Sequence, residues 1–191
     1  MKKYLLWIVL GILVLWMISG YNGLVSSRET VNKAWANVEA QYQRRNDLIP
    51  NLVSTVQGAA NFEKSTLTAV QEARSRATQI TVDPNNMTPE KLQQYQQAQA
   101  QVSSTLGRLL AVAENYPQLK AIQNFQDLQA QLEGTENRIN EARRQFSEAS
   151  MEYNAGRQRF PKVLIAGIFG FKERPYFEAD KEAAKAPAVK F

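Results

Sequence analysis

The sequence predicts an all-α protein in which an N-terminal transmembrane helix leads into an antiparallel, up-and-down four-helix bundle. Three observations support this prediction: an uncharged apolar stretch at the start, a stripe of apolar residues at three- and four-residue spacing through most of the chain, and turn-forming residues that divide this stripe. With 191 residues, the chain has room for one folded unit and its appendages.

Residues 1–20, MKKYLLWIVLGILVLWMISG, form the predicted membrane anchor. Two lysines precede fifteen uncharged residues, Tyr4 to Ile18, and a stretch that extends to Tyr21 is just long enough to span a membrane as a helix. A cleaved signal peptide has a similar pattern, but cleavage after Gly20 would place Ile18 where a small residue is preferred. The helical pattern also resumes at once at Tyr21, so an uncleaved anchor is favoured.

The orientation of the anchor is predicted from the charges beside it. Lys2, Lys3 and the free amino group lie before the apolar stretch, whereas Arg28 and Lys33 follow at a distance and share their region with Glu29. The positive-inside rule therefore favours a cytoplasmic amino terminus. We expect a single-pass protein of the bacterial inner membrane, with its bundle outside the cytoplasm.

Residues 21–159 form the predicted bundle, and the stretch QYQRRNDLIPNLV near its start allows two interpretations. Asp47 is a suitable N-cap and Pro50 is tolerated in a first helical turn, which together predict a hairpin between two helices. The rival interpretation is one long helix kinked at Pro50, because the apolar stripe continues across it. The hairpin is favoured because it yields four helices of comparable length. Arg44, Arg45 and Asp47 are also the candidate surface for a protein partner.

Two further breaks separate the remaining helices. The loop from Thr81 to Pro89 ends with a capping threonine and a proline suited to the first helical position, and Tyr116-Pro117 is a second break. The last long helix has apolar or aromatic residues at a strict seven-residue interval, which predicts a coiled-coil seam: Phe125, Leu132, Ile139, Phe146 and Tyr153.

Residues 160–178 contain an apolar and aromatic segment that is too short to span a bilayer. We expect it to dock on the end of the bundle, and the alternative is contact with a membrane surface. The candidate residues for either contact are Phe160, Phe169, Phe171, Arg174, Tyr176 and Phe177. Residues 179–191 are rich in Lys, Glu and Ala and are predicted to form a flexible tail.

The composition excludes several classes of chemistry. The chain has no Cys and no His, which excludes zinc sites of the usual kind, thiol nucleophiles, imidazole bases and disulfides. Its net charge is +5, but acids and bases alternate at helical spacing, as in Glu72 and Arg76, which is typical of a solvated helix face. We therefore expect no cofactor, no metal, no catalytic residue and no nucleic-acid partner.

Several ordered motifs resemble the LemA family of bacterial membrane proteins across nearly the entire chain. They are YNGLVSSRETVNKAW, RRNDLIPNLV, NFEKSTLTAVQEARS, YPQLK, LEGTENRINEARRQF and FPKVLIAGIFGFKERPYF. The resemblance implies an N-terminal transmembrane helix followed by an antiparallel helical bundle, a link to HtpX-type membrane metalloproteases, and no catalytic residues. The short amino terminus of the family is often described as external, which is opposite to the orientation that the charges predict.

The expected function is that of a non-enzymatic, membrane-anchored scaffold or adaptor of the bacterial envelope. It would self-associate or bind membrane proteins such as an HtpX-type protease. One alternative is a lipid-organising or membrane-remodelling protein that acts through the region from Phe160 to Phe177. The other is a carboxylate-based metal protein or enzyme, which is disfavoured because di-metal bundles use Glu-x-x-His pairs.

Overall fold

A computed structural model of the chain describes residues 2–58 and 62–177, in which all regular secondary structure is helical. The predicted tail, residues 179–191, lies outside the described residues. The all-α prediction is confirmed. The helices are α1 (Lys2–Gln57), α2 (Lys64–Gln79), α3 (Pro89–Ala113), α4 (Pro117–Lys120), α5 (Gln123–Gln158) and α6 (Lys162–Ile168), with a 3-10 turn at Pro84–Asn86.

Helix α1 is continuous from the apolar segment through the whole RRNDLIP cluster. The predicted hairpin at Asn46 and Asp47 is therefore wrong, and Asp47 is not an N-cap. The chain leaves the helix at Gly58 instead, and α2 begins at Lys64. Four long helices, α1, α2, α3 and α5, still form the bundle, but the first is much longer than the others.

Pro50 is tolerated inside α1 because a side chain replaces the hydrogen bond that it cannot make. Proline lacks a backbone N–H, so the carbonyl of Asn46, four residues earlier, loses its helical donor. The Nε atom of Arg74, on α2, donates to this carbonyl oxygen at 2.8 Å. The neighbouring helix thus satisfies the acceptor that Pro50 leaves free.

The bundle core consists of two buried clusters arranged along α1. The cluster nearer the anchor includes Leu24, Trp35 and Phe146, and the other includes Ile49, Leu109 and Phe125. Helix α1 packs along α5, and α2 packs along α3. The five residues that predicted a seam on α5, which recur at intervals of seven, all belong to these clusters. The seam therefore faces other helices of the same chain.

The first part of α1 differs from the rest because its apolar side chains from Leu6 to Trp16 are exposed. Among the described helices, α1 is the one that is long and apolar enough to cross a membrane. From Leu24 onward the apolar side chains of α1 turn into the bundle core. The same helix is therefore lipid-compatible at one end and a core element at the other.

Candidate functional site

The cluster that the sequence indicated as a partner surface is divided by the helical geometry of α1. Arg44 and Asp47 are exposed, and Asp47 accepts a hydrogen bond from Gln43 Nε2 at 2.7 Å. Arg45 is only 1% exposed and points into the bundle. Arg45 therefore cannot belong to an exposed partner surface, because one residue of helical rotation turns it away from Arg44.

Arg45 connects three helices through a network of hydrogen bonds. Its Nη1 atom donates to Ser103 Oγ at 2.6 Å and to Glu136 Oε1 at 2.8 Å, and Nη2 donates to the backbone and side-chain oxygens of Gln99. The guanidinium also lies 5.0 Å from the centre of the Tyr42 ring. A buried charge requires such pairing, so Arg45 fixes α1, α3 and α5 relative to one another.

A polar groove of about 840 Å³ lies above this network, between α3 and α5. Tyr42 and Arg45 of α1 contribute to its lining, and the extended segment 173–176 contributes at one end. Side-chain amides are prominent on its walls: Gln93, Gln96, Gln97 and Gln99 from α3, and Asn140 from α5. Such a surface offers both donors and acceptors, which suits binding by hydrogen bonds.

Two buried tyrosines lie at the groove and remain neutral. Burial raises the pKa of Tyr42, against the opposing effect of the nearby cations Arg143 and Arg45, and burial also raises the pKa of Tyr95 behind it. Both phenols therefore stay protonated at neutral pH. Within the described parts of the chain, no group of three or more His, Cys, Asp or Glu residues could hold a metal ion.

Sequence reasoning missed this groove. The segment QQYQQAQAQ on α3 is rich in glutamine, and glutamines usually lie on the polar outer face of an amphipathic helix. Whether such a face meets bulk solvent or a groove depends on the spacing of α3 and α5, and no local signal in the sequence specifies that spacing. Arg45 lies three residues after Tyr42 and four before Ile49, in phase with the apolar stripe, and this position indicates a polar group in the interior near the groove.

The second candidate region, residues 160–177, is divided between buried and exposed side chains. Phe171 and Arg174 are buried, and Phe177 packs against Trp35 and Phe146 in the core. Phe160, Phe169 and Tyr176 are exposed. Arg174 therefore does not lie at a membrane surface, as the membrane-contact interpretation required.

Side chains of α5 hold the extended part of this segment by hydrogen bonds to its backbone. The side chain of Asn154 donates to the carbonyl oxygen of Arg174 at 2.7 Å, and its Oδ1 accepts from the Arg174 N–H at 3.0 Å. The Tyr153 hydroxyl donates to the carbonyl oxygen of Lys172 at 2.9 Å. This pairing fixes the segment on the bundle and leaves the preceding helix, α6, beside α1.

Comparison with known proteins gives a family match and several relatives. Residues 34–191 match the family model of the LemA family. Two magnetosome proteins of Paramagnetospirillum magneticum, MamQ 1 and MamQ 2, are each 26% identical to this chain, over 91% of it and 70% of their own length. Protein LemA of Metamycoplasma hominis is 24% identical over 78% of this chain and 64% of its own length.

Proposed function

This chain belongs to the LemA family, and on that premise we propose that it is a non-enzymatic, membrane-anchored scaffold or adaptor that presents its helical bundle to other envelope proteins. Its place would be the bacterial inner membrane, which α1 crosses once. The bundle would lie outside the cytoplasm. The magnetosome proteins and the LemA protein among its relatives support a membrane-associated role.

The observation that carries this proposal is the continuity of α1. One continuous helix forms both the apolar segment and a core helix of the bundle, with no flexible linker between them. A binding surface on the bundle is thereby held at a fixed height and direction relative to the membrane. Such rigidity is useful for positioning a partner and is not required for a freely diffusing enzyme.

The partner surface in this proposal is the polar groove between α3 and α5, and exposed Arg44 and Asp47, which do not line the groove, would form a separate contact. The side-chain amides of the groove can pair with the backbone of a polar segment from a partner protein. An HtpX-type membrane protease is the specific candidate for that partner. Self-association is also proposed, but it would have to use other surfaces, because the α5 seam is buried within its own bundle.

Proximity labelling in cells, combined with native mass spectrometry of the solubilised protein, tests the proposal. Gln96→Arg places a cation in the groove, and Gln101→Arg makes the same change on an exposed part of α3 that does not line it. We expect reproducible protein neighbours that Gln96→Arg loses and Gln101→Arg keeps. A monomeric protein without reproducible neighbours would contradict the scaffold function.

A second candidate function, the organisation or remodelling of lipid, is favoured by the exposed apolar residues near the anchor. Phe160 is 80% exposed and Ile168 is 72% exposed. This function predicts that the purified full chain changes the size or shape of vesicles without any protein partner. Electron microscopy of proteoliposomes distinguishes it from the scaffold function, which requires vesicles of unaltered shape.

A further inference from the structure

We propose that one face of α6 lies in the surface layer of the same membrane that α1 crosses, with phospholipid as its occupant. This inference rests on the anchor that the proposed function assumes. It adds a second membrane contact to the chain and assigns it to particular side chains: Phe160, Val163, Leu164 and Ile168.

Three of these side chains, Val163, Leu164 and Ile168, form an exposed apolar stripe on one side of α6. Phe160 is also exposed and lies just before the helix. All four are exposed, whereas Ile165 and Ala166 on the other side are buried in the core cluster near the anchor. The helix is thus fastened by one face and leaves an apolar face without a partner in the described structure.

The position of α6 along α1 places this stripe at the end of the membrane anchor. Ile165 packs so closely on Gly20 that a Cβ atom there would lie 2.3 Å from its Cδ1 atom. The Phe169 ring contacts the Tyr21 ring, with 4.9 Å between their centres. Met17, inside the apolar segment, also packs against the core cluster that contains Ile165. The bundle core therefore overlaps the end of the apolar segment.

The apolar segment of α1 is shorter than the hydrocarbon core of a bilayer, which favours contact between α6 and lipid. Tyr4 to Tyr21 is eighteen residues, which cover about 27 Å at the helical rise of about 1.5 Å per residue. The hydrocarbon core of a bilayer is about 30 Å thick. A bilayer that matches its thickness to the available apolar surface would reach the stripe on α6, which supplies apolar side chains where α1 no longer exposes them.

The charges around α6 suit the surface of an anionic membrane. Arg159, Lys162 and Lys172 are exposed basic residues near α6, whereas Arg157 pairs with Glu173, which directly follows Lys172. Lys162 is exposed, and its Nζ atom lies near Gly23, on the first turn of α1 after the anchor. Basic side chains beside an apolar stripe are typical of helices that lie in the membrane surface.

Fluorescence quenching by lipids measures the depth of α6 directly. The natural chain has no Cys, so single cysteines can carry an environment-sensitive fluorophore at Leu164, Ile168, Ile12 and Gln101. The full chain is reconstituted at one copy per nanodisc, with a nitroxide on the lipids near the top of the acyl chains. Neutral and anionic lipid mixtures are compared.

We expect the labels at Leu164 and Ile168 to be blue-shifted and quenched, more strongly in anionic lipid, and the label at Gln101 to be unaffected. Quenching at Ile12 without quenching at Leu164 and Ile168 would leave the anchor in place and overturn the inference for α6. Cross-linking between α6 segments of two copies, together with unquenched labels in single-copy nanodiscs, would also overturn it by assigning the stripe to a second chain. Loss of protein partners in the scaffold experiment leaves these quenching results unchanged, so the two proposals fail separately.

Discussion

Pro50 illustrates, at the scale of single residues, how a neighbouring helix accommodates a proline in a helix interior. The Asn46 carbonyl receives its hydrogen bond from Arg74 instead of from a backbone N–H. An unsatisfied buried carbonyl would otherwise cost about 1–3 kcal/mol. The continuity of α1 at this point therefore depends on a side chain that lies 28 residues further along the chain.

We predict that Arg74→Met destabilises the bundle by about 1–3 kcal/mol because it leaves the Asn46 carbonyl without a donor. The same change in a Pro50→Ala background should cost clearly less, because the introduced alanine supplies the helical N–H. Chemical denaturation of the detergent-solubilised protein, followed by circular dichroism, measures both costs. Equal costs in the two backgrounds would show that the Arg74 bond is unrelated to Pro50.

Arg44 and Arg45 provide a matched pair of adjacent arginines, one exposed and one buried. Arg45→Ala should destabilise the bundle by about 1–3 kcal/mol, since buried Gln99 loses its donor and partly exposed Glu136 loses its ion-pair partner. Arg44→Ala should change stability by less than about 1 kcal/mol, because it is exposed. The same denaturation experiment compares them, and a similar loss in both variants would contradict the role assigned to Arg45.

At the scale of helices, the sequence predicted best what depends on local periodicity. The seven-residue run from Phe125 to Tyr153 predicted a buried seam on α5, because a helix repeats its faces without reference to its neighbours. The N-cap predicted at Asp47 was wrong because the structure at that residue depends on contacts with another helix. A local N-cap signal competes with tertiary contacts, and the contact between Arg74 and Asn46 is not visible from the local sequence.

The junction of α1 and α6 gives a prediction at the same scale. Gly20→Leu should displace α6, because Ile165 occupies the space next to Gly20. Gly11→Leu is the matched control, since nothing lies within 4 Å of the corresponding position there. A cysteine that replaces buried Ala166 should react faster with a maleimide in the Gly20→Leu protein only. Equal reactivity in both proteins would refute the close contact.

At the scale of the whole molecule, the side of the membrane that holds the bundle determines which partners it can meet. The charges beside the anchor favour a bundle outside the cytoplasm, and the usual description of the family favours the opposite. The groove and the exposed residues of α1 are the same in both orientations. The set of proteins that can reach them is different.

We predict that a cysteine at Met151, an exposed position on α5, reacts with a membrane-impermeant maleimide in intact spheroplasts. The reason is the pair of lysines at the amino terminus, which favours a cytoplasmic start of the chain. A cysteine added after Met1 is the control and should react only after the membrane is broken. The reverse pattern would place the bundle in the cytoplasm.

Because α1 runs without interruption from Lys2 to Gln57, the number of residues between the anchor and the bundle sets their relative rotation. Each added residue turns everything beyond it by about 100° and moves it by about 1.5 Å along the axis. One inserted alanine after Gly11, where no other part of the chain lies within 4 Å of the Cβ position, would thus turn the groove relative to the start of the anchor, whereas seven would nearly restore its direction. A partner that contacts both the exposed part of the anchor and the groove is therefore selected by their relative rotation as well as by their separation.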